Sequence, residues 1–103
     1  MNLTIKATKT TLTPSIKTTI TDKLQVLERF LRSEDKIHVE LEVNKRHASG
    51  ELFRVEVTIH PHGYFADARG SDFYEALDLV LPKVKEQMVK AKDKRVTARK
   101  NKR

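Results

Sequence analysis

Residues Ser71–Arg103, SDFYEALDLVLPKVKEQMVKAKDKRVTARKNKR, join an amphipathic helix to nearly all of the chain's excess positive charge. Phe73, Leu77, Val80, Leu81, Val84, Met88 and Ala91 recur at the spacing of one helical face, and that face must be buried against something. Ser71 or Asp72 caps the helix, and Asp72 with Glu75 has capping-box spacing. Of 21 basic residues in the chain, ten lie from Lys83 onward, opposed there only by Glu86 and Asp93. The part before Lys83 holds 11 bases and 12 acids, so the body is close to neutral and the cation is local.

A helical wheel at about 100° per residue sorts these charges. With Val84 at the centre of the apolar face, Lys83, Gln87, Lys90 and Lys94 fall on one flank within a band of roughly 60°, and Lys85 and Lys92 fall on the other. Such a flank is a row of phosphate donors beside a buried seam. A helix that is merely solvated would interleave Glu with Lys at i,i+4, and here the acids are too few.

Working upstream, Tyr64, Ala66 and Ala68 are the inward positions of a short strand whose alanines let the helix approach closely. Pro61-His62-Gly63 reverses the chain, and Phe53, Val55, Val57 and Ile59 alternate with Arg54, Glu56, Thr58 and His60 in the strand before it. His47–Gly50 is the preceding turn, and Ile37, Val39, Leu41 and Val43 alternate with His38, Glu40, Glu42 and Asn44 in another strand with one wet face. Earlier still, Ile16, Ile20, Leu24, Leu27 and Leu31 predict an amphipathic helix to about Arg32, capped by Thr13 with Pro14 at its first position. Leu3, Ile5 and Ala7 give the first strand.

The order β-α-β-β-β-α, with polar residues at every second strand position, predicts an α+β two-layer fold. A four-stranded sheet carries two helices on one face, an arrangement like the double-stranded-RNA-binding domain. The groove between the helices is expected to collect Lys23 and one flank of the second helix. Pro82 falls on the solvent side of that helix, which predicts a kink rather than a break. Residues 1–95 form the domain, and 96–103, which lack an apolar period, are expected to be a disordered basic tail.

Composition narrows the function. A chain of 103 residues is one small domain, and 34% charged residues with net charge +7 point to a polyanionic partner. Without Cys there are no disulfides or thiolate metal sites, which fits a reducing cytoplasm. MNLTIKATK has no charged segment followed by an apolar one, so secretion is not expected, and no apolar run approaches the ~18 residues of a membrane span. No nucleophile has a paired base, Gly50, Gly63 and Gly70 read as turns, and His60-Pro-His62 has no third metal ligand at a recognisable spacing. The protein is therefore expected to be non-catalytic, without cofactor, metal or small-molecule substrate.

Among binding modes, double-stranded RNA recognition is disfavoured by the acidic first turn of the second helix, Asp72 and Glu75. Membrane-surface binding is disfavoured because the apolar helix face is needed to cover the sheet. Structured RNA remains, read by the groove and the tail.

Thr13-Pro14-Ser15-Ile16-Lys17 leading to Lys23-Leu24 and Leu27-Glu28, followed by Asp72-Phe73-Tyr74-Glu75-Ala76-Leu77-Asp78 leading to Lys83, Gln87, Lys90 and Lys92-Asp93-Lys94, forms an ordered set. In these residues the chain resembles the ribosome hibernation-promoting factors and ribosome-associated inhibitors of the sigma-54 modulation protein family, from Met1 to about Lys94. Pro82 stands where a polar residue is expected. The chain ends at Arg103, where long members carry a dimerisation domain, so the likeness is to the short form and ribosome pairing through that domain is not expected. The resemblance implies a cytoplasmic ribosome hibernation factor that binds the small ribosomal subunit near the decoding region, blocks tRNA and mRNA and represses translation in idle cells. The alternative is a structured-RNA-binding module not specific to ribosomes. The resemblance also implies rRNA contacts at Lys17, Lys23, Lys83, Lys90, Lys92 and Lys94, to which charge alone adds Arg95. Off the ribosome the protein is expected to be a monomer.

Overall fold

The computed structural model describes residues 2–44 and 53–101, with side chains described as far as Ala91. The turn expected at His47–Gly50 lies outside the described residues. Element order is β1 (Asn2–Thr8), α1 (Pro14–Leu24), a 3-10 helix (Gln25–Phe30), β2 (Lys36–Val43), β3 (Phe53–His60), β4 (Tyr64–Gly70) and α2 (Phe73–Asn101). The strands form one sheet in the order β1-β2-β3-β4. β1 runs parallel to β2 and pairs Leu3 with Ile37 and Ile5 with Val39, which requires the crossover that α1 supplies. β2, β3 and β4 are antiparallel neighbours. The α+β two-layer fold expected from the sequence is the fold observed.

Ile37, Val39, Leu41, Val55, Val57 and Ile59 are buried on one sheet face, and Ile20, Leu24 and Leu27 join them with Ala76, Leu77, Val80, Val84 and Met88. Both helices therefore cover the same face. Ala66 and Ala68 are buried under α2, whose first turn comes so close to β4 that a Cβ at Gly70 would meet the Ala76 nitrogen at 2.9 Å. Gly70 thus serves close packing at the strand end, where the sequence suggests only a turn.

Thr13 caps α1, its hydroxyl accepting from Ile16 N–H at 3.2 Å, with Pro14 at the first helical position. The helix expected to reach Arg32 instead ends as α-helix at Leu24 and tightens into the 3-10 helix. Three residues per turn bring Leu24, Leu27 and Phe30 into one line over the core, which an α-helix would fan out.

Asp72 accepts from Glu75 N–H at 2.7 Å, while Glu75 reaches back to the Ser71 N–H and hydroxyl. The capping pair is therefore real but closes on Ser71. α2 passes Pro82, which is exposed, without a break. Its backbone also continues past Arg95, where the sequence pattern places the end of the domain, to Asn101. Loss of apolar period removes a packing face but not helical propensity, and 96–101 contain neither Gly nor Pro.

On the opposite, wet sheet face, Glu56 stands across from both Glu40 and Asp67. Arg54 relieves that like-charge contact, donating to Asp67 and to Glu56 at 3.0 Å each.

Candidate nucleic-acid interface

The side of α1 that faces α2 carries Ser15, Thr19 and Lys23, one turn apart. The Ser15 hydroxyl lies 3.1 Å from the Tyr74 hydroxyl, Thr19 packs beside Tyr74, and Lys23 forms an ion pair with Asp78. Further along, the helices part into a groove of about 400 Å³ lined by Lys23, Val26, Asp78, Leu81, Pro82 and Lys85. A second depression, lined by Gln25, Val26, Glu28, Arg29 and Lys85, shares Val26 and Lys85 with it. Val26 is 55% exposed, so the groove has an apolar strip between charged walls. Lys85 has no ion-pair partner among the described residues, which leaves its ammonium available to an anion.

The flank of α2 singled out by the wheel does not line this groove. Gln87 accepts from Phe65 N–H at 3.1 Å and donates to the Phe65 carbonyl at 2.6 Å, and the Lys83 ammonium donates to the Asp67 carbonyl at 3.1 Å. Both side chains close the outer edge of β4, on the far side of α2 from α1. Lys90, on the exposed outer surface, pairs with Glu86 at 2.9 Å. The Lys90 hydrogen bond, reinforced by its charge, holds the Glu86 carboxyl below its ordinary pKa.

The expected single row of lysines along the groove is thus corrected: the sequence-predicted residues straddle α2. Lys23 lies in the groove, while Lys83 and Lys90 lie on the β4 flank and outer surface. Lys17 is exposed on α1, two residues and about 200° around from Ser15, on the flank turned from α2. Lys92, Lys94 and Arg95 lie on the helical backbone of α2 beyond the described side chains. The wheel defined the two flanks correctly. Which flank meets α1 depends on which strands each helix covers, and α2 lies over β3 and β4.

Two basic residues escape the sequence reading, Lys85 in the groove and Arg29 in the second depression. Lys85 was visible as the opposite flank, whereas Arg29, whose guanidinium sits 4.8 Å over the Phe30 ring, gave no signal. Asp35, read as part of a polar connection, is buried. One of its carboxylate oxygens accepts from Arg32 N–H at 2.8 Å and the other lies 3.6 Å from His62 Nε2. Among the described residues no group of three or more His, Cys, Asp or Glu is placed to hold a metal, and no helix is long and apolar enough to cross a membrane.

Comparison with known proteins places this geometry. Solved structures share the fold. The Thermus thermophilus Protein Y N-terminal domain superposes with TM-score 0.70 at 23% identity, over 85% of this chain and 96% of that one. A ribosomal subunit interface protein from Coxiella burnetii superposes with TM-score 0.71 at 22% identity, over 90% of this chain and 99% of that one. In sequence, the protein named ribosome hibernation promoting factor in Escherichia coli K12 is 31% identical over 97 residues, covering 91% of this chain and 96% of its own length. Its namesake from Salmonella typhimurium is 30% identical over the same shares. The family described as sigma 54 modulation protein / S30EA ribosomal protein matches residues 3–96. With that span and a relative at 31% identity along nearly its whole length, the chain belongs to the sigma 54 modulation protein / S30EA ribosomal protein family.

Proposed function

We propose that the protein is a non-catalytic ribosome hibernation factor of the cytoplasm. It binds rRNA of the small ribosomal subunit near the decoding region, excludes tRNA and mRNA, and represses translation in idle cells. The observation that carries this reading is the likeness, over 91% of the chain, to relatives named for ribosome hibernation. The charge distribution supports it, since the excess cation sits on α2 in the helical layer. Lys23 and Lys85 meet phosphate from the two walls of the groove. Lys90, Lys92, Lys94 and Arg95 extend the contact along α2, and Lys17 adds one from the outer flank of α1. Lys83, held at the Asp67 carbonyl through one of its three N–H donors, adds a contact from the β4 side. Away from the ribosome the protein is a monomer.

Gradient sedimentation of purified ribosomal subunits with the protein tests this reading. Co-migration with the small subunit, together with inhibition of translation in vitro, is the expected result. Migration with the large subunit alone, or with free RNA but not subunits, would overturn it.

A further inference from the structure

We infer that Asp78 is a selectivity residue: it occupies the Lys23 ammonium in the free protein and competes with RNA phosphate for it, so the groove admits RNA by ion-pair exchange. The inference rests on the RNA-binding reading above and deepens it. Asp78 is the one carboxylate among the six residues lining the groove between Lys23 and Lys85. Its ion pair with Lys23 spans the two helices, and the side chains are 59% and 34% exposed. Water reaches both partners, so the pair is weak enough for a phosphate to displace the carboxylate.

Displacement leaves the Asp78 carboxylate beside the incoming phosphate, and like charges at a few ångströms repel. An RNA surface that presents only phosphates therefore loses affinity here. A folded RNA that offers a 2′-hydroxyl or a base amino group satisfies the carboxylate and avoids the loss. Pro82 strengthens this preference for a donor. It has no N–H to give to the carbonyl four residues earlier, so residue 78 also carries a main-chain acceptor without its usual helical partner. Lys85, on the same wall and without an ion-pair partner among the described residues, supplies attraction to any polyanion. Asp78 makes the neighbouring contact conditional.

The test compares Asp78→Asn with Glu42→Gln, which removes the same charge from the opposite sheet face. The probes are a short oligo(dT), which has neither a 2′-hydroxyl nor a base amino group, and isolated small ribosomal subunits. Asp78→Asn is expected to bind oligo(dT) about five- to tenfold more tightly, with a salt slope steeper by about 0.7, the contribution of one released lysine. Its affinity for subunits changes by less than about threefold, and Glu42→Gln leaves both affinities within about twofold of wild type. Lys23→Met costs little oligo(dT) affinity in the wild-type background and about fivefold in Asp78→Asn. Equal gains for Asp78→Asn and Glu42→Gln, or the same Lys23→Met cost in both backgrounds, would overturn the inference. Failure of wild-type protein to bind small subunits would instead defeat the ribosomal reading, with the oligo(dT) comparison still deciding the role of Asp78.

Discussion

The side-chain amide of Gln87 pairs with both main-chain groups of Phe65, mimicking one rung of a further strand along the open edge of β4. Lys83 continues the closure two residues on, at the Asp67 carbonyl. An exposed edge with free N–H and C=O groups is a template for pairing with another chain, and this edge is covered by its own helix. Gln87→Ala should therefore cost about 1–2 kcal/mol in urea unfolding and raise self-association in analytical ultracentrifugation. An unchanged midpoint and a strictly monomeric variant would show that the rung contributes nothing.

Gly70 and Gly63 should respond to alanine for different reasons. At Gly70 the new Cβ meets main chain of α2 at 2.9 Å, so helix and strand must separate, with an expected loss of about 1–3 kcal/mol. At Gly63 there is open space but φ is +79°, so the cost is conformational and about 1 kcal/mol. Thermal unfolding of the two variants checks the ranking. A Gly70→Ala protein as stable as wild type would mean that α2 shifts freely on β4.

Lys83 and Lys85, on opposite flanks of the apolar face of α2, should separate in function. Lys85→Glu reverses a charge in the groove and should weaken small-subunit binding by about tenfold or more. Lys83→Glu breaks the edge contact and should lower stability by about 1 kcal/mol, with a smaller binding loss of about threefold. Filter binding alongside urea unfolding measures both. A larger binding defect at Lys83 than at Lys85 would place the RNA on the β4 side of α2.

The legible and illegible parts of this molecule divide along physical lines. Alternation in Ile37–Val43 and Phe53–Ile59 reveals strands with one wet face because side chains along a strand alternate, whatever the neighbours do. Thr13-Pro14 and Asp72 with Glu75 mark helix starts because capping is local. The tightening after Leu24 was hidden, since Leu27 and Leu31 fit an α-helix as well as Leu27 and Phe30 fit a 3-10 turn, and only the core chooses. The side of α2 that faces α1 was hidden for a similar reason. A wheel separates Lys83 from Lys85, but long-range packing decides which of them meets the groove. The attachment of Lys83 to a strand carbonyl and of Lys23 to Asp78 are tertiary facts with no sequence periodicity.

Affinity that rests on lysines meeting phosphates should be strongly salt-dependent. With about five phosphate contacts and ~0.7–0.9 counterions released at each, a fourfold rise in salt should lower affinity for small subunits by roughly two to three decades. Titrations across that range check this. A nearly flat dependence would shift the weight of binding to apolar contacts such as Val26.

Competition with tRNA on isolated small subunits tests the central claim most directly. The wild-type protein should bind empty subunits and be excluded, in proportion to occupancy, from subunits preloaded with tRNA. Simultaneous binding of protein and tRNA, with no change in the affinity of either, would contradict the placement of its helical layer at the decoding region.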